Sequence, residues 1–322
     1  MLNADFTKPL PTPLRPVIVS LEKAIARDAA RRGSALERIR ALVLLAGSVR
    51  KTSLQARIGR SVLSLPVRSG QTIMDCWGSS GEELAAVVGR SPLQVRVVLD
   101  HESTDAPVPP LGKGVAFSVE RDPSAYRGTA GIVRDLCCAY DADDFVLVAG
   151  AAQILRFPLV EIAEQLASRR ANVVVAANDD GTPSLLMLVR CGALADVAGI
   201  GFIDLKEQAL PAIAARHNVE VVSYPTSPVG LPVRTEADYI LAVRQFHQRK
   251  DGGGAFEEDW QSSFSLVESS ESVHRSARIH DSVVLKGARV EADAVVVRSV
   301  VCPGAVVRRG RMVVDQLVAE NR

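Results

Sequence analysis

The stretch that decides the fold runs from Ala41 to Val67, ALVLLAGSVRKTSLQARIGRSVLSLPV. It opens with an unbroken apolar run, Ala41 to Ala46. Such a run suits a strand covered on both faces, as in a parallel sheet flanked by helices. Gly47-Ser48 closes it, and a loop of small and basic residues leads to Leu63-Ser64-Leu65-Pro66-Val67. A buried strand feeding a glycine-containing basic loop is how α/β proteins surround a phosphate with backbone N–H groups and cations.

The spacing resembles the opening motif of the sugar-phosphate nucleotidyltransferases (nucleotide-sugar pyrophosphorylases), LAGGxGTRLxPxTxxxPKPLLPV. From Ala46 to Val67 the two run without a gap and agree at both ends, Leu45-Ala46-Gly47 and Leu63 to Val67. The middle differs: Ser48 stands for the second glycine, Arg50 for the third, Thr52 for the motif arginine, and Val62 for the lysine on the sugar phosphate. The resemblance implies a mostly parallel, Rossmann-like sheet domain of the nucleotide-diphospho-sugar transferase type. It also implies nucleotide contacts at Ala46, Gly47 and Ser48. Arg50 and Arg60, in the same loop, are the candidates to restore the lost positive charge, Arg60 lying two residues before the missing lysine.

Other segments keep step with the same family. Gly70 to Trp77 sits where the first helix begins, and Gln94 to Leu99 reads as the second strand. That strand ends in Asp100-His101, and a polar pair at the carboxyl end of a parallel strand lies on the ligand side of such sheets. Asp100 is therefore a candidate sugar-phosphate contact. Val115 to Glu120 reads as a third strand, and Gly128-Thr129-Ala130-Gly131 resembles the family's PLGTAGAL turn. Glycine there lets backbone approach the nucleotide and adopt positive φ; a helix is expected from Ile132 to Ala139. Strands are expected over 172–177 and 185–190, joined by the Asp179 to Pro183 turn, and a last one at Val219 to Val222. Gly201 to Gln208, GFIDLKEQ, is similar to a segment near the family's sugar-phosphate pocket, which makes Lys206 a phosphate candidate; a solvated helix lysine is the competing reading.

The metal positions have changed. The family's first magnesium-binding Asp, in FLVLNGDVL, falls on Ala151, and the second, in DIGTPEDY, falls on Pro232. Neither can ligate a hard cation, which takes oxygen ligands. Gln153 offers a neutral oxygen, and Asp141, Asp143 and Asp144 precede the strand and belong at its far end.

Composition narrows the classes. The chain has 322 residues, 47% hydrophobic and 23% charged, enough for one large domain or two. Lys+Arg 38 against Asp+Glu 37, with aromatics at 4%, gives neither a basic field nor a stacking platform for nucleic acid. The five cysteines follow no zinc or disulfide spacing, no apolar run reaches membrane-spanning length, and the N-terminus lacks a signal-peptide layout. A cytoplasmic protein without membrane contact is expected. Residues 1–40 read as a proline-rich arm and two basic helices, the second capped at Ser34 with Glu37 three residues on. Residues 251–270 read as a linker.

From 271 to 322 the texture changes. Val273, Ile279, Leu285, Val290, Val296, Val301, Val307 and Val313 recur about six apart with small residues between. This resembles the hexapeptide repeat of a short left-handed parallel β-helix of two to three coils, one end of which should pack on residues 41–250 or on another subunit. Homo-oligomerisation is expected from such an end.

Three functions follow. The first is a divergent nucleotidyltransferase that joins a nucleoside triphosphate and a sugar 1-phosphate into an NDP-sugar and pyrophosphate, with Mg²⁺ if active. The second is a non-catalytic relative that binds a nucleotide or sugar phosphate. The third is a hexapeptide acyltransferase using His274 or His280, six apart and so on one face of the solenoid.

Overall fold

The computed structural model describes residues 34–46, 53–89, 92–99, 107–109, 112, 114–121, 128–198, 201–224, 228–248 and 264–320. Gly47, Ser48, Arg50, Asp100 and His101 lie outside them.

The apolar run forms the centre of the sheet. Strand β1, Ile39–Leu45, alternates its side chains between two cores: Leu42 and Leu44 enter one, Ala41 and Val43 the other. Around it lie β2 (Leu93–Leu99), β3 (Val115–Arg121), β4 (Phe145–Gly150), β6 (Val173–Ala177), β7 (Pro183–Arg190) and β8 (Val219–Ser223). The order is β8-β6-β7-β4-β1-β2-β3. β7 runs antiparallel to both neighbours and the other pairings are parallel. The chain steps outward from β1 through β2 to β3, then returns to place β4 on the other side of β1. Such a reversal is where open α/β sheets place their ligands, here at the carboxyl ends of β1 and β4.

Helices cover both faces. On one lie α1 (Ser53–Ile58), α2 (Ile73–Val88) and α4 (Leu159–Ala167); on the other lie α3 (Gly128–Cys137) and α5 (Leu210–Ala214). α2 starts at a capping box in which Thr72 and Asp75 satisfy each other's free N–H groups, and it stops at Gly89, φ 71°. A two-stranded antiparallel ladder, β5 (Gln153–Leu155) with β9 (Gly230–Pro232), sits beyond the end of β4, and α6 (Glu236–Gln248) follows.

Local expectations needed revision. Ser34 does accept from the Glu37 N–H (3.3 Å), but only one turn forms, because Ile39 pairs with Phe145 and is wholly buried. The basic loop contains α1, which buries Leu54 and Ile58. The 128–131 segment is the first turn of α3 rather than a turn ahead of it.

Residues 265–318 run through three short parallel ladders. Ser265–Val267, Ser282–Val284, Val300–Val301 and Leu317–Val318 form one; Arg278–His280, Val295–Val297 and Met312–Val314 a second; Arg289–Val290 and Val306–Val307 a third. Partners in consecutive rungs lie mostly 17 residues apart, as in Ile279↔Val296 and Val296↔Val313. Asp281, Arg298 and Asp315 hold the repeated corner at positive φ, and along it the Oγ atoms of the following Ser282 and Ser299 accept from the N–H groups of Ser299 and Gln316 (3.0 Å each). With three faces per 17 residues, positions six apart fall on neighbouring faces. His280 lies in the second ladder, whereas Val273, just before His274, bridges to Val290 of the third, so the two histidines do not share a face.

The packing of this coil also differs from expectation: a flank, not an end, meets the sheet domain. Val284 and Val301 point into the coil, while Val283, Leu285, Val300 and Cys302 join the cluster of Leu54, Leu65 and Ile73. Arg60 pairs with Glu268 (2.8 Å), Arg244 with Asp281 (2.8 Å), and His247 stacks on Phe264.

Candidate functional site

At the carboxyl edge of the sheet, Ala46 and Ala151 end β1 and β4 side by side. Ala46 donates its N–H to the Val98 carbonyl (2.8 Å), and Ala151 donates to the Leu45 carbonyl (2.9 Å). The start of α3 is held there by Gly128. Its φ is +66°, and a Cβ on it would lie 2.4 Å from the Ile203 carbonyl oxygen and 2.6 Å from the Ile203 nitrogen. Only glycine allows that approach. Two hydrogen bonds seal it: the Ala130 N–H to the Ile203 carbonyl (3.1 Å) and the Leu205 N–H to Thr129 Oγ1 (3.0 Å). The nucleotide-motif residues 128–131 and the segment carrying Lys206 are thus brought together.

Lys206 lies in the π-helical turn Leu205–Ala209 that leads into α5. Asp204 caps this turn, its Oδ1 accepting from the N–H groups of Lys206 (2.8 Å) and Glu207 (2.9 Å). The Lys206 ammonium donates to the Pro183 carbonyl (3.5 Å). Burial, with the Arg234 guanidinium adding to it and Asp204 opposing it, holds its pKa below the ordinary lysine value. Arg234 was not singled out in the sequence. Its only signal was that a cation stands where the DIGTPEDY motif has glycine.

The two positions that the resembled motif gives to metal ligands, Ala151 and Pro232, do lie together. Pro232 pairs with Gln153, and the Val233 N–H donates to the Ala152 carbonyl (2.9 Å). What meets is unsuited to a magnesium ion, however. The Ala151 side chain is wholly buried, and its carbonyl accepts from Trp77 Nε1 (2.8 Å). Gln153 donates from Nε2 to the Gly150 carbonyl (2.8 Å), and its Oε1 lies against Gly230, where a Cβ would come within 2.2 Å. Asp143 and Asp144 sit at the opposite end of the sheet, Asp144 paired with Arg40 (2.7 Å) and Asp143 with Arg38 (3.5 Å) and Arg190. Among the described residues no group of three or more His, Cys, Asp or Glu could hold a metal ion. Hard divalent cations need several oxygen ligands, and these residues do not fit one.

Arg60 is not part of this gathering. Its Nη2 donates to Glu268 Oε1 (2.8 Å), while Glu268 Oε2 accepts from the Lys286 N–H (2.6 Å), so the side chain fastens the coil to the sheet domain. Its charge was legible in sequence; its partner, 208 residues away, was not. No described helix is long and apolar enough to cross a membrane.

No family model matches the chain, and no curated protein matches it. Solved structures to which the chain is similar include a homolog of Mycobacterium tuberculosis rv0371c from mycobacterium sp. strain JC1, 18% identical over 66% of this chain and 98% of that one, with a TM-score of 0.45. HddC from Yersinia pseudotuberculosis is 15% identical over 65% of this chain and 100% of its own, with a TM-score of 0.47. A putative glucose-1-phosphate thymidylyltransferase from Bacillus anthracis, in complex with sucrose, is 10% identical over 67% of this chain and 97% of its own, also at 0.47.

Proposed function

We propose that this chain is a divergent sugar-phosphate nucleotidyltransferase-like protein that binds a nucleotide and a sugar phosphate at the carboxyl ends of β1 and β4, with weak or absent turnover. The observation that carries the reading is the contact of Gly128 with Ile203, which joins the nucleotide-motif turn to the Lys206 segment at this edge of the sheet. Ala46, Thr129, Ala130 and Gly131 are its nucleotide contacts and Lys206 its phosphate contact; Gly47, Ser48, Arg50 and Asp100 remain candidates on the sequence motif. Arg60 drops out as a catalytic group in this reading because Glu268 occupies it.

Turnover suffers because nucleotidyl transfer depends on positioning two anions and neutralising the charge that develops between them. Ala151 and Pro232 supply no carboxylate for the ion that usually does so. The division into a 41–250 ligand-binding unit and a 271–322 left-handed hexapeptide β-helix belongs to the same proposal. So do a homo-oligomeric state and a cytoplasmic setting, the latter in keeping with five cysteines that form no disulfide.

A pyrophosphate-release assay over a panel of nucleoside triphosphates and sugar 1-phosphates with Mg²⁺, run beside calorimetric binding of the same compounds, tests this. Binding with slow or no release is expected. Rapid release overturns the loss of turnover, and absence of both binding and release overturns the nucleotidyltransferase reading.

A further inference from the structure

Cations, not acids, frame the exit of β4. Arg234 follows Pro232 by two residues, and its backbone is fixed there by the Pro232↔Gln153 pairing and the Val233 N–H to the Ala152 carbonyl. Lys206 arrives from the other side. Its ammonium touches the Pro183 carbonyl at the start of β7. Two residues on, Leu185 lies against Gly150, where a Cβ would come within 2.8 Å of it. Gly150 immediately precedes Ala151. The two cations therefore converge on the place where the resembled motif puts its metal ion.

The nearest described carboxylates are held by backbone: Asp204 caps the Lys206 turn and offsets its ammonium only in part, and Asp238 Oδ2 accepts from the N–H groups of Arg234 (3.3 Å) and Thr235 (3.1 Å) to start α6. Among the described residues neither the Lys206 nor the Arg234 side chain is ion-paired. Two like charges held near each other, one of them half-buried, are stabilised by an anion lying between them. A guanidinium gives a planar fork and an ammonium a point charge, and together they suit the oxygens of adjacent phosphate groups.

We propose that Lys206 and Arg234 form a clamp that binds the phosphate groups of a nucleoside diphosphate or sugar phosphate directly, in place of a divalent metal ion. The inference rests on the reading of this edge as a phosphate-ligand site, and it adds that the site works without metal. It also explains why the metal positions could become Ala and Pro while the scaffold stayed: side chains carry the positive charge.

The test is calorimetric titration of the full chain with pyrophosphate and with a nucleoside diphosphate, in EDTA and again in Mg²⁺. Affinity in EDTA is expected to be at least as high as in Mg²⁺. Lys206→Ala and Arg234→Ala should each weaken it by roughly 10- to 100-fold, the range of a charge-assisted contact. Arg234→Lys should recover part of the loss, and raised salt should weaken the wild type more than either variant. Should an alanine variant fold poorly, Lys206→Gln and Arg234→Gln serve instead. Binding at least about tenfold tighter with Mg²⁺ than in EDTA, or variants that bind like the wild type, overturns the clamp and leaves the ligand-site reading intact. Absence of binding to either probe in both buffers overturns the two together.

Discussion

Replacing Gly128 by alanine tests the contact on which the site depends. At φ +66° an L residue costs about 1–2 kcal/mol. The new Cβ would also sit 2.4 to 2.7 Å from three backbone atoms of Ile203, where ordinary contact begins at 3.4 Å. A backbone cannot swing aside as a side-chain tip does, so the segment carrying Ile203 must retreat by roughly 1 Å. That retreat stretches the Ala130–Ile203 and Leu205–Thr129 hydrogen bonds, each worth about 1 kcal/mol. The sum is about 3–4 kcal/mol. Gly181→Ala is the control, since Gly181 has φ +77° but nothing within 4 Å of its Cβ position; only the conformational part, about 1–2 kcal/mol, should appear. Urea unfolding followed by far-ultraviolet circular dichroism gives both values from the shift in midpoint at constant slope. Gly128→Ala should also weaken nucleoside diphosphate binding, because it moves Lys206. If it loses no more stability than Gly181→Ala, the close approach of the two segments is wrong.

Four further outcomes are expected. Asp281→Asn keeps a residue that tolerates its φ of 47° but removes the charge facing Arg244, so a loss of about 2–3 kcal/mol in urea unfolding should report the buried ion pair that holds the coil's flank. Trp77→Phe leaves the Ala151 carbonyl without its indole donor and should cost about 1–2 kcal/mol by the same measurement. The lowered pKa of Lys206 makes pyrophosphate binding fall, and the ligand-free protein gain stability, as pH rises through that pKa and before it reaches the ordinary lysine value of 10.5. The sign follows because the unfolded chain holds the proton to higher pH than the folded one, and Lys206→Met should flatten both trends. Ala151→Asp should destabilise by several kcal/mol without giving magnesium-dependent turnover in the pyrophosphate-release assay, since the position is wholly buried.

What the sequence revealed was whatever depends on local pattern. The apolar run from Ala41 required a strand covered on both faces, and β1 sits at the centre of the sheet with one core on each side. The order of strand, glycine motif and helix put residues 128–131 at the right edge. The contact that makes Gly128 indispensable joins residues 75 apart and was invisible, because nothing in GTAG names Ile203. Leu54 and Ile58, four apart, did carry a helical signal inside the basic loop, one that the surrounding charges masked. The parallel ladders of residues 265–318 had a sequence signal in the valine periodicity of six, but the stronger repeat was His280-Asp281-Ser282-Val283-Val284 against Val297-Arg298-Ser299-Val300-Val301. Read at that 17-residue step, it places the corners and separates His274 from His280. Arg60 shows the limit from the other side: charge type is written in sequence, but which distant carboxylate it meets is settled by packing.

In the proposed reading, the scaffold and its site chemistry answer to different constraints. Sheet order, the Gly128 approach and the capping of the Lys206 turn are over-determined by burial and backbone hydrogen bonds, so they persist while single side chains change. The positions that align with the resembled motif's metal carboxylates are closed by packing. Ala151 lies in the core with its carbonyl bound to Trp77, and Pro232 ends an edge ladder that needs no N–H from it. Recovering a carboxylate there would mean reopening the core and replacing a proline together, each change unfavourable without the other. The cations at 206 and 234 needed no rebuilding of the fold, and they stand at its surface edge where phosphate can reach them.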